Sequence, residues 1–289
     1  MQQSRFPRTI GAIAAAAAIA LALLTGCAPS SQGDAAAGAP DGAAPGAEQS
    51  PGLSGTLTVS AAASLQPAFE QLTADFSELH PGVEFENLAF DGSSVLATQI
   101  IGGAPVDVFA SADEQNMAKV VDEGLVAGDP VEFATSSLQI AVAPGNPLGI
   151  ETLSDLAKPG TSGASAASTE PPVVVVCAPE VPCGAASRRL LERDGVELTP
   201  ASEEQNVTAV LTKVAAGEAD AGLVYRSDVL RADGDVEGIE IDGSIEAAGR
   251  YVIAPISGSK SPAAAAAFAE FMTSPEAQRL FHELGFGPA

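Results

Sequence analysis

The chain has 289 residues, 46% of them hydrophobic, and sets 13 basic against 37 acidic residues for a net charge of −24. That is apolar material enough for one large or two medium globular domains, and so acidic a surface argues against nucleic acid or an anionic membrane surface as a partner. A small anion stays admissible, because its site is governed by the dipoles beside it.

The first 27 residues have the order of an export signal: Arg5 and Arg8, an apolar run from Ile10 to Leu24, then Leu24-Thr25-Gly26-Cys27. The run is short for a membrane-spanning helix and suits a signal peptide over residues 1–26. Without Arg5 and Arg8 the mature chain would hold 11 basic and 37 acidic residues, a charge of −26. LTGC resembles the bacterial lipobox, which implies a lipidated Cys27 and a place on the outer face of a membrane; more than one acyl chain makes such an anchor stable. Residues 27–54 are dominated by Ala, Gly, Pro and Ser, a composition that cannot offset its ordering entropy and predicts a flexible tether.

From Leu57 the pattern turns globular. Leu57 to Ser60 predicts a buried strand, and Leu65, Ala68, Phe69, Leu72, Phe76 and Leu79 recur at helical spacing after it. Ser64 stands where an N-cap belongs and Pro67 falls in the first turn. A second strand over Val83 to Leu88 leads through Phe90-Asp91-Gly92-Ser93-Ser94 into a helix over Val95 to Ile101, with Ser93 or Asp91 as its cap. Val106 to Ala110 is a third strand, and Asp113 to Glu123 a helix stopped by Gly124. This βαβαβα rhythm predicts a mainly parallel sheet covered by helices.

Further on, Leu138 to Ala143 is a strand, Leu153 to Ala157 a short helix, and Lys158 to Pro172 an exposed loop rich in small residues. Val173 to Cys177 is an apolar strand whose following turn, Ala178 to Gly184, enters a helix carrying Leu190 and Leu191. Asn206 caps a helix with Val207, Val210, Leu211 and Val214 on one face. Ala221 to Tyr225, Val236 to Ile241 and Arg250 to Ile256 are strands, the last returning toward the first unit. Two helices, Pro262 to Met272 and Pro275 to Leu284, finish the chain. The expected fold is α/β: two doubly wound domains joined by a two-strand hinge, with residues 55–136 plus 257–289 as domain I and residues 137–256 as domain II.

Ligands in open α/β sheets bind where strands end and helices begin. Four such turns, around Ser64, Ser93, Cys183 and Val207, come two from each unit, and a cleft between the units would gather them. The first N–H groups of a helix have no backbone partner and carry the positive end of its dipole, which makes each turn an anion site. The loops are nearly free of charge, with Asp91, Glu180 and Lys213 as exceptions. Donors without acceptors suit a fully deprotonated tetrahedral dianion, of the sulfate or molybdate type, over an ion that still holds a proton.

Five pieces, AAASL at Ala61 to Leu65, FDGSSVLATQI at Phe90 to Ile100, GAPVDVFASAD at Gly103 to Asp113, PEVPCG at Pro179 to Gly184 and GLVYRSD at Gly222 to Asp228, together resemble the molybdate-binding proteins of bacterial ABC transporters, from Leu57 to Phe286. The resemblance implies a fold of the type II periplasmic-binding-protein kind that closes over molybdate or tungstate and delivers it to a permease and its ATPase. By position, the oxyanion contacts would be Ser64 and Ser93 through hydroxyl and N–H, Cys183 and Val207 through N–H, and Tyr225 through its phenol. The family often has alanine where this chain has Cys183. No cofactor is expected, molybdenum entering only as the bound oxyanion, and the protein is expected to be a monomer.

With Cys27 lipidated, Cys177 and Cys183 remain as a pair outside the cytoplasm, which predicts a disulfide. Metal binding is not expected of it, since His80 and His282 sit on other elements with no ligand spacing. An enzyme is the rival class, yet there is no G-x-S-x-G and neither histidine falls near a candidate serine. A tethered sensor or adhesion module would need an exposed apolar stripe, which the pattern lacks.

Overall fold

The computed structural model describes residues 52–158 and 170–289. The signal segment, Cys27 and nearly all of the tether lie outside the described residues, as does most of the loop expected at Lys158 to Pro172. In chain order the elements are β1 (Ser54–Ala62), α1 (Gln66–Leu79), β2 (Gly82–Asp91), α2 (Ser93–Ile101), β3 (Val108–Ser111), α3 (Glu114–Asp122), β4 (Val131–Thr135) and β5 (Leu138–Val142). There follow β6 (Val174–Cys177), α4 (Pro182–Arg193), β7 (Ser202–Glu204), α5 (Val207–Ala215), β8 (Ala221–Tyr225), α6 (Arg226–Arg231), β9 (Glu237–Glu240), α7 (Ser244–Ala248), β10 (Arg250–Pro255), α8 (Pro262–Phe271) and α9 (Pro275–Glu283).

These strands form two five-stranded sheets, ordered β2-β1-β3-β10-β4 and β7-β6-β8-β5-β9. Each is mainly parallel, as expected, with one strand reversed. In each, four strands run toward the cleft, and the strand that has just crossed from the other lobe starts at the cleft and runs away from it. So β10 pairs antiparallel with β3 and β4, and β5 pairs antiparallel with β8 and β9. β10 is therefore a central strand of the first sheet. Residues 250–255 belong with lobe I, a correction to the division that left residues up to 256 in domain II, because the buried run Tyr251 to Pro255 is covered there by α8 on one face and α3 on the other.

The sheet of lobe I is packed on both faces, against α1, α8 and α9 on one side and α2 and α3 on the other. The predicted stripe of α1 is buried at Leu65, Ala68, Phe69, Leu72 and Phe76, whereas Leu79 ends the helix 55% exposed. Phe69, Phe76, Phe85, Phe133, Phe268 and Phe281 pack edge-on or tilted against one another, with ring centres 4.9 to 6.2 Å apart, and each fully buried ring contributes about 2–3 kcal/mol by leaving water. The core of lobe II is aliphatic, with Tyr225 its one aromatic side chain among the described residues. β4, β7, α6 and α7 have no counterpart among the elements expected from the sequence.

Candidate functional site

One small cavity lies between the lobes at the carboxyl ends of their strands. It is lined from lobe I by Ala62, Ala63, Ser64, Asp91, Gly92, Ser93 and Ala112, and from lobe II by Val181, Pro182, Cys183, Val207 and Tyr225. All five residues expected to contact an anion, Ser64, Ser93, Cys183, Val207 and Tyr225, are among them. About 10 Å³ is open to the centre of a water-sized sphere, room for one small occupant and none for a sugar or peptide.

Local sequence explains why these groups meet. Ala61 to Ala63 have no bulk, so the chain turns tightly through one 3₁₀ turn, Ala63–Leu65, before α1 begins at Gln66 with Pro67 in its first turn. Ser64 is not the N-cap that its position suggested. The helix begins two residues later, and the Ser64 hydroxyl instead lies 2.9 Å from the phenol oxygen of Tyr251. Nor does Ser93 or Asp91 cap α2: the cap is Gly92, and Ser93 is the first helical residue, its hydroxyl accepting the Ala112 N–H at 3.0 Å. At α4, Pro182 takes the first position and Cys183 the second, with no side-chain cap. Asn206 does cap α5 through Ala209 N–H at 3.0 Å, leaving the Val207 N–H ahead of it in the first turn. The N–H groups of Ser93, Cys183 and Val207 thus sit in first turns, where no intrahelical carbonyl is available to them.

Cys177 and Cys183 are joined by a disulfide, both sulfurs buried. It ties the end of β6 to the start of α4 across the turn Ala178 to Pro182. Gly184 is required behind it, since a side chain there would overlap the carbonyl oxygens of Cys177 and Ala178.

Tyr225 ends β8, 1% exposed, and its hydroxyl has no hydrogen-bond partner in the protein. A buried hydroxyl left unpaired costs about 1–3 kcal/mol unless a ligand or water meets it. Burial, with the neighbouring Tyr251, Asp113 and Asp228 adding to it, pushes the phenol well above its usual pKa. It therefore stays protonated and can donate. No lysine or arginine lines the cavity among the described residues, so an anion there would be balanced by peptide dipoles and hydroxyls. The single carboxylate, Asp91, already accepts Gly92 N–H at 2.8 Å and the Asn206 amide at 2.9 Å through Oδ1.

Sequence reasoning missed Tyr251. A lone tyrosine in the apolar strand β10 reads as core, and it is core, 0% exposed; its polar role depends on Ser64, 187 residues earlier. Behind the cavity, Asp228 supports Tyr225 by accepting its backbone N–H at 3.2 Å while pairing with Arg231 at 2.8 Å.

Comparison with known proteins agrees with this geometry. A family model described as bacterial extracellular solute-binding protein matches residues 57–287. The molybdate-binding protein ModA of Mycobacterium bovis is 43% identical over 231 residues, 80% of this chain and 84% of that one. The periplasmic molybdate-binding protein of Azotobacter vinelandii superposes with a TM-score of 0.63 at 20% identity, over 81% of this chain and 99% of that one. The sulfate-binding protein SubI of Mycobacterium tuberculosis gives 0.66 at 20% identity, over 81% and 87%. At such identity the two structures attest the fold alone, while the family match spans nearly all of the described residues: the chain belongs to the bacterial extracellular solute-binding proteins.

Proposed function

We propose that the protein captures molybdate or tungstate between its lobes outside the cytoplasm and hands it to an ABC permease driven by its ATPase. The observation that carries this reading is the convergence of Ser64, Ser93, Cys183, Val207 and Tyr225 on one small cavity without a cation, joined to the 43% identity with a molybdate-binding relative. Ser64, Ser93 and Tyr225 would donate through hydroxyls, and Ser64, Ser93, Cys183 and Val207 through backbone N–H. Such donors favour a bare dianion, and closing the lobes around it strengthens each contact by excluding water. The closed state is the one a permease would recognise. The protein acts as a carrier, not an enzyme, and needs no cofactor. Residues 1–26 would be removed, Cys27 lipidated and residues 27–54 left as the tether to the outer face of the membrane, the carrier working as a monomer.

Sulfate or thiosulfate is the second reading, supported by 26% identity over 273 residues with a sulfate-binding protein of Synechococcus elongatus, 81% of this chain and 73% of that one. Titration calorimetry of the chain from Gly52 onward, with molybdate, tungstate, sulfate and phosphate, decides between them. Tight binding of the first two only is expected; heat from sulfate alone would move the assignment to the second reading. Mass spectrometry of the N-terminal peptide tests the modification of Cys27.

A further inference from the structure

Two turns touch directly across the cleft. Asp91-Gly92-Ser93 closes β2 in lobe I, Gln205-Asn206-Val207 opens α5 in lobe II, and each delivers a cavity-lining residue. Asn206 Nδ2 donates to Asp91 Oδ1 at 2.9 Å. Each side chain is also held by its own lobe: Asp91 Oδ1 by Gly92 N–H at 2.8 Å, and Asn206 Oδ1 by Ala209 N–H at 3.0 Å. The contact is close enough that a methyl group on Gly92 would overlap the Gln205 carbonyl oxygen.

A carboxylate beside an anion cavity repels the ion it faces. Asp91 is the one carboxylate lining this cavity among the described residues, and its charge has to be offset by something it does. Its oxygen bonds the opposite lobe, and a charged acceptor makes the stronger hydrogen bond.

We propose that Asp91 and Asn206 are a latch, a pair of positioning residues that holds the lobes together beside the anion and slows its release. This rests on the binding reading above. The bond exists only when the lobes meet, so it lengthens the residence of the ion and leaves the encounter rate unchanged. Because the same amide side chain caps α5, the latch also holds the Val207 N–H in place.

The test is the release of radiolabelled molybdate from the purified protein, chased with unlabelled molybdate. Asp91→Asn and Asp91→Ala each remove one charge, but only asparagine keeps an oxygen to accept from Asn206. The latch predicts release from Asp91→Ala about fivefold to tenfold faster than from Asp91→Asn; equal rates overturn it. Asn206→Asp preserves the cap on Ala209 and sets two carboxylates face to face, so release should quicken. Adding Asp91→Asn to that variant exchanges donor and acceptor and should restore slow release; a double variant as fast as Asn206→Asp alone overturns the latch. A wild-type protein that holds no molybdate overturns the function reading instead. Small-angle scattering of the ion-free variants then tests the latch alone, which requires Asp91→Ala to be more open than Asp91→Asn.

Discussion

The hydroxyl oxygens of Ser64 and Tyr251 stand 2.9 Å apart inside the wall of the cleft, and the Tyr251 ring packs against Tyr225 of the other lobe with centres 6.0 Å apart. One tyrosine on the strand that re-enters lobe I thus steers a serine at the cavity and supports the phenol facing it. Tyr251→Phe keeps the ring and removes the partner of Ser64. Affinity for the ion should fall about threefold to tenfold and stability by about 1 kcal/mol; calorimetry finding unchanged affinity would show that Ser64 is oriented by another group.

Ser64 and Ser93 should respond differently to truncation. The Ser93 hydroxyl accepts the buried Ala112 N–H, and Ser93→Ala strands that donor at a cost of about 1–3 kcal/mol. Ser93→Ala should therefore lower both affinity and melting temperature, while Ser64→Ala, which takes one partner from a Tyr251 hydroxyl that also has the Ser136 side chain beside it, should lower affinity with the smaller thermal change. Thermal melts of the ion-free variants check the order, and an equal loss in both would contradict it.

Gly92 has an ordinary backbone, φ −60° and ψ 134°, so alanine fits lobe I without strain. The collision is with Gln205 in lobe II. Gly92→Ala should leave the ion-free melting temperature within a few degrees of wild type and weaken ion binding about tenfold to a hundredfold, the range of a 1–3 kcal/mol steric penalty. Intact affinity in calorimetry would mean that the ion is held without this approach of the lobes.

Asp228 gives the fold a pH dependence of unusual sign. Burial lifts its carboxyl from 3.8 to about 6, against the opposing pull of Arg231 and of the Tyr225 N–H. Between those values the folded protein binds a proton that the unfolded chain has lost. This site therefore favours folding below pH 4, and the advantage disappears as pH rises through 6. The stability of wild type relative to Asp228→Asn should grow by about 2–3 kcal/mol from pH 8 to pH 4. Chemical denaturation at the two pH values measures it, and a constant difference would place the Asp228 carboxyl at an ordinary pKa.

What the sequence made legible was whatever repeats along the chain. The stripe of α1, Leu79 apart, and the cap at Asn206 are local, and the structure has both. The helix starts at Ser64 and Ser93 were located but misassigned as side-chain caps, because a serine ahead of an apolar run has the same local signature whether it binds its own helix or a distant group. The antiparallel insertion of β5 and β10 escaped notice because strand direction leaves no trace in periodicity. Contacts such as Asn206 with Asp91, 115 residues apart, belong to the meeting of the lobes and to no segment of either.

Tyrosine occurs twice in this chain and tryptophan not at all, and the two rings abut across the divide. The protein's tyrosine emission thus arises from this single couple, one ring on each side of the divide. A change in that emission on adding the ion would report closure on the unmodified molecule, with no dye attached.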